Sequence, residues 1–94
     1  MATKAQHEDA YQQLLPILRA FREEAELTQR DLGGRLGKPQ SWVYNCESGN
    51  RRVDVTEFVA WVRACGADPT AAMARLLTVL PDPAARRPRR TRRT

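Results

Sequence analysis

From Tyr11 to Leu80 the apolar residues recur at spacings of three and four, interrupted at short intervals by glycine, proline or a polar pair. Tyr11, Leu14, Leu15, Leu18, Phe21 and Ala25 make one stripe of a first helix, with Glu8 and Asp9 suited to its first turn. Pro16 lies inside that stripe, so the helix either kinks there or begins at Leu15-Pro16, where a missing N–H is tolerated. Thr28 with Asp31 three residues on predicts a capping box opening a second helix through Leu32 and Leu36, which Gly37 stops. Pro39 sets the entry to a third helix over residues 40–47, ended by Gly49. Asp54 and Glu57 form another capping pair, opening a fourth helix through Val55, Phe58, Val59 and Val62 to Cys65, closed by Gly66. Asp68-Pro69 opens a fifth helix carrying Met73, Leu76, Leu77 and Leu80. Five short helices, short connections and no strand pattern predict an all-α orthogonal bundle.

Length and charge change this picture in two ways. Ninety-four residues make one small domain, which buries only about 60–65% of its unfolded surface. The pattern divides the chain into a flexible N-terminus (1–7), a helical body (8–81) and a Pro/Arg-rich tail (82–94), expected to be disordered. The formal net charge of +5 belongs to that tail: six of the sixteen basic residues are Arg86, Arg87, Arg89, Arg90, Arg92 and Arg93. The other ten stand in residues 1–85 against all eleven acids, a net of −1. Such a tail is either an electrostatic handle for a polyanion or a passive solubilising end.

Other chemistry is sparse. No apolar run approaches the ~20 residues of a membrane span, and the first residues lack a basic-then-apolar leader, so a cytoplasmic protein without membrane contact is expected. Cys46 and Cys65 have no partner Cys or His nearby and read as small core hydrophobes; His7 sits in a polar terminus. Nucleophile–base pairs, phosphate loops and acid clusters are missing from the sequence, which predicts neither an enzyme nor a cofactor or metal requirement.

The third helix carries the most information. On a wheel at 100° per residue with Gln40 at zero, Gln40, Ser41, Tyr44, Asn45 and Ser48 fall between about 0° and 140°, opposite Pro39, Val43 and Cys46. Trp42 lies on the boundary and reads as a residue packing at the domain edge. A solvent face would ordinarily favour Glu and Lys. A Gln/Ser/Tyr/Asn face suits groove recognition, because an amide donates and accepts at one base edge.

At this point "LTQRDLGGRLGKPQSWVYNCESGNRRVD" resembles the phage-repressor-like (XRE/Cro) helix-turn-helix family. The shared pattern is L-T-Q, a small residue at Gly33, L-G at Leu36-Gly37, Q-S at Gln40-Ser41, Val43, and E-x-G-x-R-R over Glu47–Arg52, continuing to a closing G-x-D-P. The likeness covers roughly residues 17–80. It implies a compact five-helix, lambda-repressor-like domain that is a sequence-specific regulator of transcription, a repressor, bound to double-stranded DNA as a homodimer on a partly palindromic operator. By the resemblance, Gln40, Ser41, Tyr44 and Asn45 read bases. Gln29, Lys38, Asn50, Arg51 and Arg52 hold phosphates, with Gln29 also placed to brace Gln40. Arg22 and Glu47 form a structural ion pair. Helix five supplies the dimer surface through Met73, Leu76, Leu77, Val79 and Leu80. Glu26 departs from the family, standing where a helix-ending Gly is frequent, as do the extra Gly34 and Asn45, which replaces a frequent Lys. A protein-binding module, such as an antitoxin facing a toxin partner, is the alternative class; RNA binding through the Arg tail is a weaker one.

Overall fold

A computed structural model describes residues 9–82 of the chain. A helical turn at residues 9–12 leads into α1 (Leu14–Glu24), followed by α2 (Gln29–Leu36), α3 (Gln40–Ser48), α4 (Val55–Ala64) and α5 (Pro69–Leu77). The expectations for residues 1–7 and for the Arg tail lie outside the described residues.

The helix ends follow local chemistry. Pro16 has no N–H to give the carbonyl of Gln12, and its ring crowds that carbonyl, so the chain breaks at Gln13 and restarts at Leu14. Pro16 then falls in the first turn of α1, where no intrahelical donor is needed. Both capping boxes form. Thr28 Oγ1 accepts from the Asp31 N–H at 3.0 Å while Asp31 accepts from the Thr28 N–H at 3.0 Å. Asp54 and Glu57 repeat the exchange at 2.8 and 3.0 Å. These backbone donors hold the Asp31 and Asp54 carboxyls below their ordinary range.

The end of α1 costs more. Glu26 takes φ = 60°, the only non-glycine residue with positive φ among those described. Its N–H donates to the Glu23 carbonyl and that of Leu27 to Arg22, a Schellman closure. The closure turns Leu27 into the core, at about 1–3 kcal/mol of backbone strain that a glycine would avoid.

The core sits where the five helices converge. Leu18, Leu32, Val43, Cys46, Trp61, Val62 and Ala72 are fully buried. Trp61 is the largest of them, and its indole N–H donates to the Leu18 carbonyl at 3.0 Å. This shifts the buried face of α4 from the expected stripe: Trp61, Phe58 and Val62 face inward, Val59 is half-buried, and Val55 is 64% exposed in the first turn. Helix α5 is fastened to α1 by an Arg75–Glu24 fork (2.8 and 3.1 Å), with the Arg75 guanidinium 4.8 Å over the Phe21 ring. Leu76, expected on a dimer face, is buried in this core because it lies one turn from Ala72 on the inward face of α5. Both cysteines are free thiols, Cys46 buried and Cys65 half-buried. Burial pushes Cys65 up to about 11, and Cys46 upward as well, so both stay protonated at neutral pH and act as apolar filler.

The two adjacent glycines of α2 differ in kind. A Cβ on Gly33 would lie 2.6 Å from the Lys38 carbonyl oxygen, so the turn after α2 closes only over glycine. A Cβ on Gly34 would meet nothing within 4 Å. Gly34→Ala should therefore raise unfolding stability by about 1 kcal/mol, and Gly33→Ala should lower it; urea unfolding of the two variants checks the opposite signs.

Candidate nucleic-acid interface

Helices α2 and α3 pack on each other across the three-residue turn Gly37-Lys38-Pro39, which Gly37 enters at φ = 69°. Val43 and Cys46 pin α3 to the body, so its opposite face is left to solvent. Gln40, Ser41 and Tyr44 are exposed there, Tyr44 at 52%. Asn45 is half-buried and partly committed: its Oδ1 accepts from Asn50 Nδ2 at 3.3 Å, and its carbonyl accepts from the Arg51 N–H at 3.0 Å and the Ser48 hydroxyl at 3.3 Å.

Beneath this face runs a relay of polar side chains. Arg22 of α1 meets Glu47 of α3 through two bonds, Nε at 2.6 Å and Nη2 at 3.0 Å, and its Nη1 donates to the Leu27 carbonyl at 2.9 Å. The side chains are 10% and 7% exposed, and no buried side-chain polar atom among the described residues lacks a partner. Satisfaction of this kind is what a buried pair needs to offset its desolvation. The hydrogen bond to Glu47 raises the proton affinity of Arg22 against the opposing effect of burial.

Gln29 Nε2 donates to the same Glu47 carboxylate at 3.0 Å, and Gln40 Nε2 donates to Gln29 Oε1 at 2.7 Å. The polarity of the chain is forced from its buried end. A carboxylate only accepts, so Gln29 must turn its NH₂ toward it and its carbonyl outward. Gln40 must then offer an N–H to that carbonyl, keeping its own carbonyl and a second N–H for solvent. Gln29 is thus a brace in the structure, with one amide N–H left over.

The flanking cations fare unequally. Lys38 and Arg52 are exposed: Lys38 Nζ lies 5.3 Å from the Trp42 ring centre, and the Arg52 guanidinium stacks 4.1 Å over Tyr11. Asn50 is exposed as well. Arg51 is engaged within the domain. Its Nη1 and Nη2 each reach Glu57 at 2.9 Å, Nη1 also donates to the Arg52 carbonyl at 2.8 Å, and the guanidinium lies 4.9 Å over Trp42. The side chain remains 40% exposed. Glu57 is thus more than a cap, and the signal in the sequence is a cation a few residues ahead of an acid fixed at a helix start. Also unanticipated are the placements of Arg30, an exposed cation on α2 without an acid partner among the described residues, and Tyr11, whose hydroxyl accepts the Val53 N–H at 2.8 Å. Trp42 lies against Trp61 with ring centres 6.3 Å apart, at the domain edge.

A family model described as a helix-turn-helix domain matches residues 17–76, more than half of the chain. The chain belongs to the XRE-type helix-turn-helix family. A solved structure of an XRE-family like protein from Pseudomonas syringae pv. tomato str. DC3000 is 44% identical, with a TM-score of 0.76 over 85% of this chain and 98% of that one. Among curated proteins nothing matches. Family and fold support a DNA-binding transcription regulator and point away from enzymatic activity. No group of three or more potential metal ligands, and no helix long and apolar enough to cross a membrane, occurs among the described residues.

Removing one member of the buried pair strands the other. Glu47→Ala should cost about 3–5 kcal/mol of stability and release Gln29 and Gln40, which chemical denaturation and side-chain amide NMR shifts of the two glutamines will register.

Proposed function

We propose that this XRE-family protein is a repressor that binds a partly palindromic operator in cytoplasmic double-stranded DNA as a homodimer, with α3 in the major groove. The observation carrying this reading is the relay Arg22–Glu47–Gln29–Gln40, which ends in an amide of fixed polarity on an exposed helix face. An acceptor and a donor held side by side match the N6 and N7 edge of adenine. Ser41, Tyr44 and the free side of Asn45 extend the same face. Lys38, Asn50 and Arg52 flank it as phosphate contacts, which add affinity without sequence information; the leftover N–H of Gln29 suits a phosphate too. A compact dimer seated across an operator blocks it by occupancy, so repression needs no further contact.

One such domain reads too few base pairs to pick out a site alone, and pairing two half-sites supplies the rest. The end of α5 supports a second copy as partner. Leu77 is 63% and Val79 43% exposed there, with Met73 and Leu80 half-buried beside them. An open groove of about 340 Å³ lies next to them, lined by Ala10, Tyr11, Leu14, Arg52, Leu76 and Leu80. In this reading Leu76 floors the groove from within the core, and Leu77 of one protomer seats in the groove of its partner.

Selection of bound sites from random duplex DNA tests the whole reading. A partly palindromic consensus with half-sites about one helical turn, ~34 Å, apart is expected; enrichment of nothing, or of single half-sites only, sinks it. Gln40→Ala should cost ~1–3 kcal/mol on that consensus and relax one position in each half-site; equal loss on random DNA would remove Gln40 from base reading. Wild type is expected to sediment as a dimer and Leu77→Glu as a folded monomer, and a variant that is still dimeric would move the interface elsewhere.

A further inference from the structure

The relay ties the last turn of α3 to α1 through Glu47. The same turn is tied to α4 by the Arg51–Glu57 pair, and we infer that this pair is a latch that sets the angle of the recognition helix about its Glu47 anchor, making Arg51 a positioning residue for specificity rather than a phosphate contact. The proposal rests on the reading of α3 as the groove helix.

Three contacts converge on Arg51. Its backbone N–H donates to the Asn45 carbonyl in the last turn of α3, at 3.0 Å. Its guanidinium lies over Trp42 on the same helix, 4.9 Å from the ring centre. Both of its Nη atoms grip Glu57 on α4, at 2.9 Å each. A forked guanidinium–carboxylate pair fixes direction as well as distance, which a Lys could not do. Glu57 is itself fixed, because its Oε1 also accepts the Asp54 N–H at 3.0 Å in the capping box. Arg51 therefore joins the back of α3 to a point on α4 that is already immobile.

The lever explains why this matters for reading. Helix α3 has nine residues, so tilting it by about 10° about Glu47 moves its first turn by about 2 Å. Hydrogen bonds from Gln40 or Ser41 to a base edge do not survive such a shift, whereas long, flexible cations follow a phosphate through it. Loss of the latch should thus reduce discrimination and spare non-specific binding. The pair's side chains are 40% and 24% exposed, so its role lies in geometry more than in net stability.

Two substitutions separate latch from clamp. Arg51→Lys keeps the charge and loses the fork. Glu57→Gln keeps an acceptor for the Asp54 N–H, since Gln serves at this place in a capping box, and loses the anion. The full-length chain and both variants are titrated by anisotropy at several salt concentrations against two probes, the duplex pool enriched by selection and unselected random duplex. Each variant is to bind the enriched pool roughly ten-fold more weakly, and random duplex within about two-fold of wild type with an unchanged salt slope. The double variant is to be no weaker than either single one, and Trp42 emission is to shift red in all three. Tighter binding by Glu57→Gln on either probe, or a shallower salt slope in a variant, would show that Arg51 serves phosphate. Folded variants that bind the enriched pool like wild type would make the pair purely structural. Each of these results overturns the latch while leaving the groove reading intact. If wild type enriches no site, the groove reading falls and takes the latch with it.

Discussion

The buried pair between Arg22 and Glu47 is the constraint around which the rest is arranged. A helix of nine residues is too short to hold itself in water, and α3 has only Val43 and Cys46 fully sunk in the core. Two apolar anchors fix its depth but not its rotation. The ion pair adds what they lack: it ties one particular residue of α3 to one particular residue of α1, and its unforgiving polarity propagates outward through Gln29 to Gln40. The strained end of α1 belongs to the same arrangement. Glu26 adopts a left-handed conformation so that Leu27 can turn inward and offer its carbonyl to the third arm of Arg22.

Electrostatics here has been sorted by depth. Acids that could neutralise a phosphate-binding surface are mostly spent internally: Glu47 on Arg22, Glu57 on Arg51, Glu24 on Arg75, Asp31 and Asp54 on backbone donors. The arrangement leaves Lys38, Arg52 and Arg30 exposed without acids of their own among the described residues, two of them backed by aromatic rings. A nearly neutral body can in this way present a cationic rim without a high charge density that would gather any polyanion.

Much of this was legible in the sequence wherever the physics is local. Thr28/Asp31, Asp54/Glu57, Gly37 and Asp68-Pro69 act through neighbours three or four residues away, so the helix starts and stops could be placed from residue types alone. The polar face of α3 was legible because its composition departs from that of a solvent face. Pairwise choices over distance were not. Arg51 and Arg52 are adjacent and chemically identical, and only the fold decides that one meets Glu57 and the other Tyr11. Trp61 against Val55, and Leu76 against Leu77, turn on about a residue's worth of helix rotation, which periodicity fixes loosely when a stripe has only three or four members. The Arg22–Glu47 pair, 25 residues apart, came into view only through resemblance to a family.

Glu57 serves two masters with one carboxylate, closing the first turn of α4 and gripping Arg51. Local melting is thereby made collective. Fraying at the start of α4 releases Arg51, and with it one of the ties on the last turn of α3. A shared carboxylate of this kind couples the opening of a helix start to that of the loop before it. Helix α3 and the start of α4 are in that sense linked through one side chain.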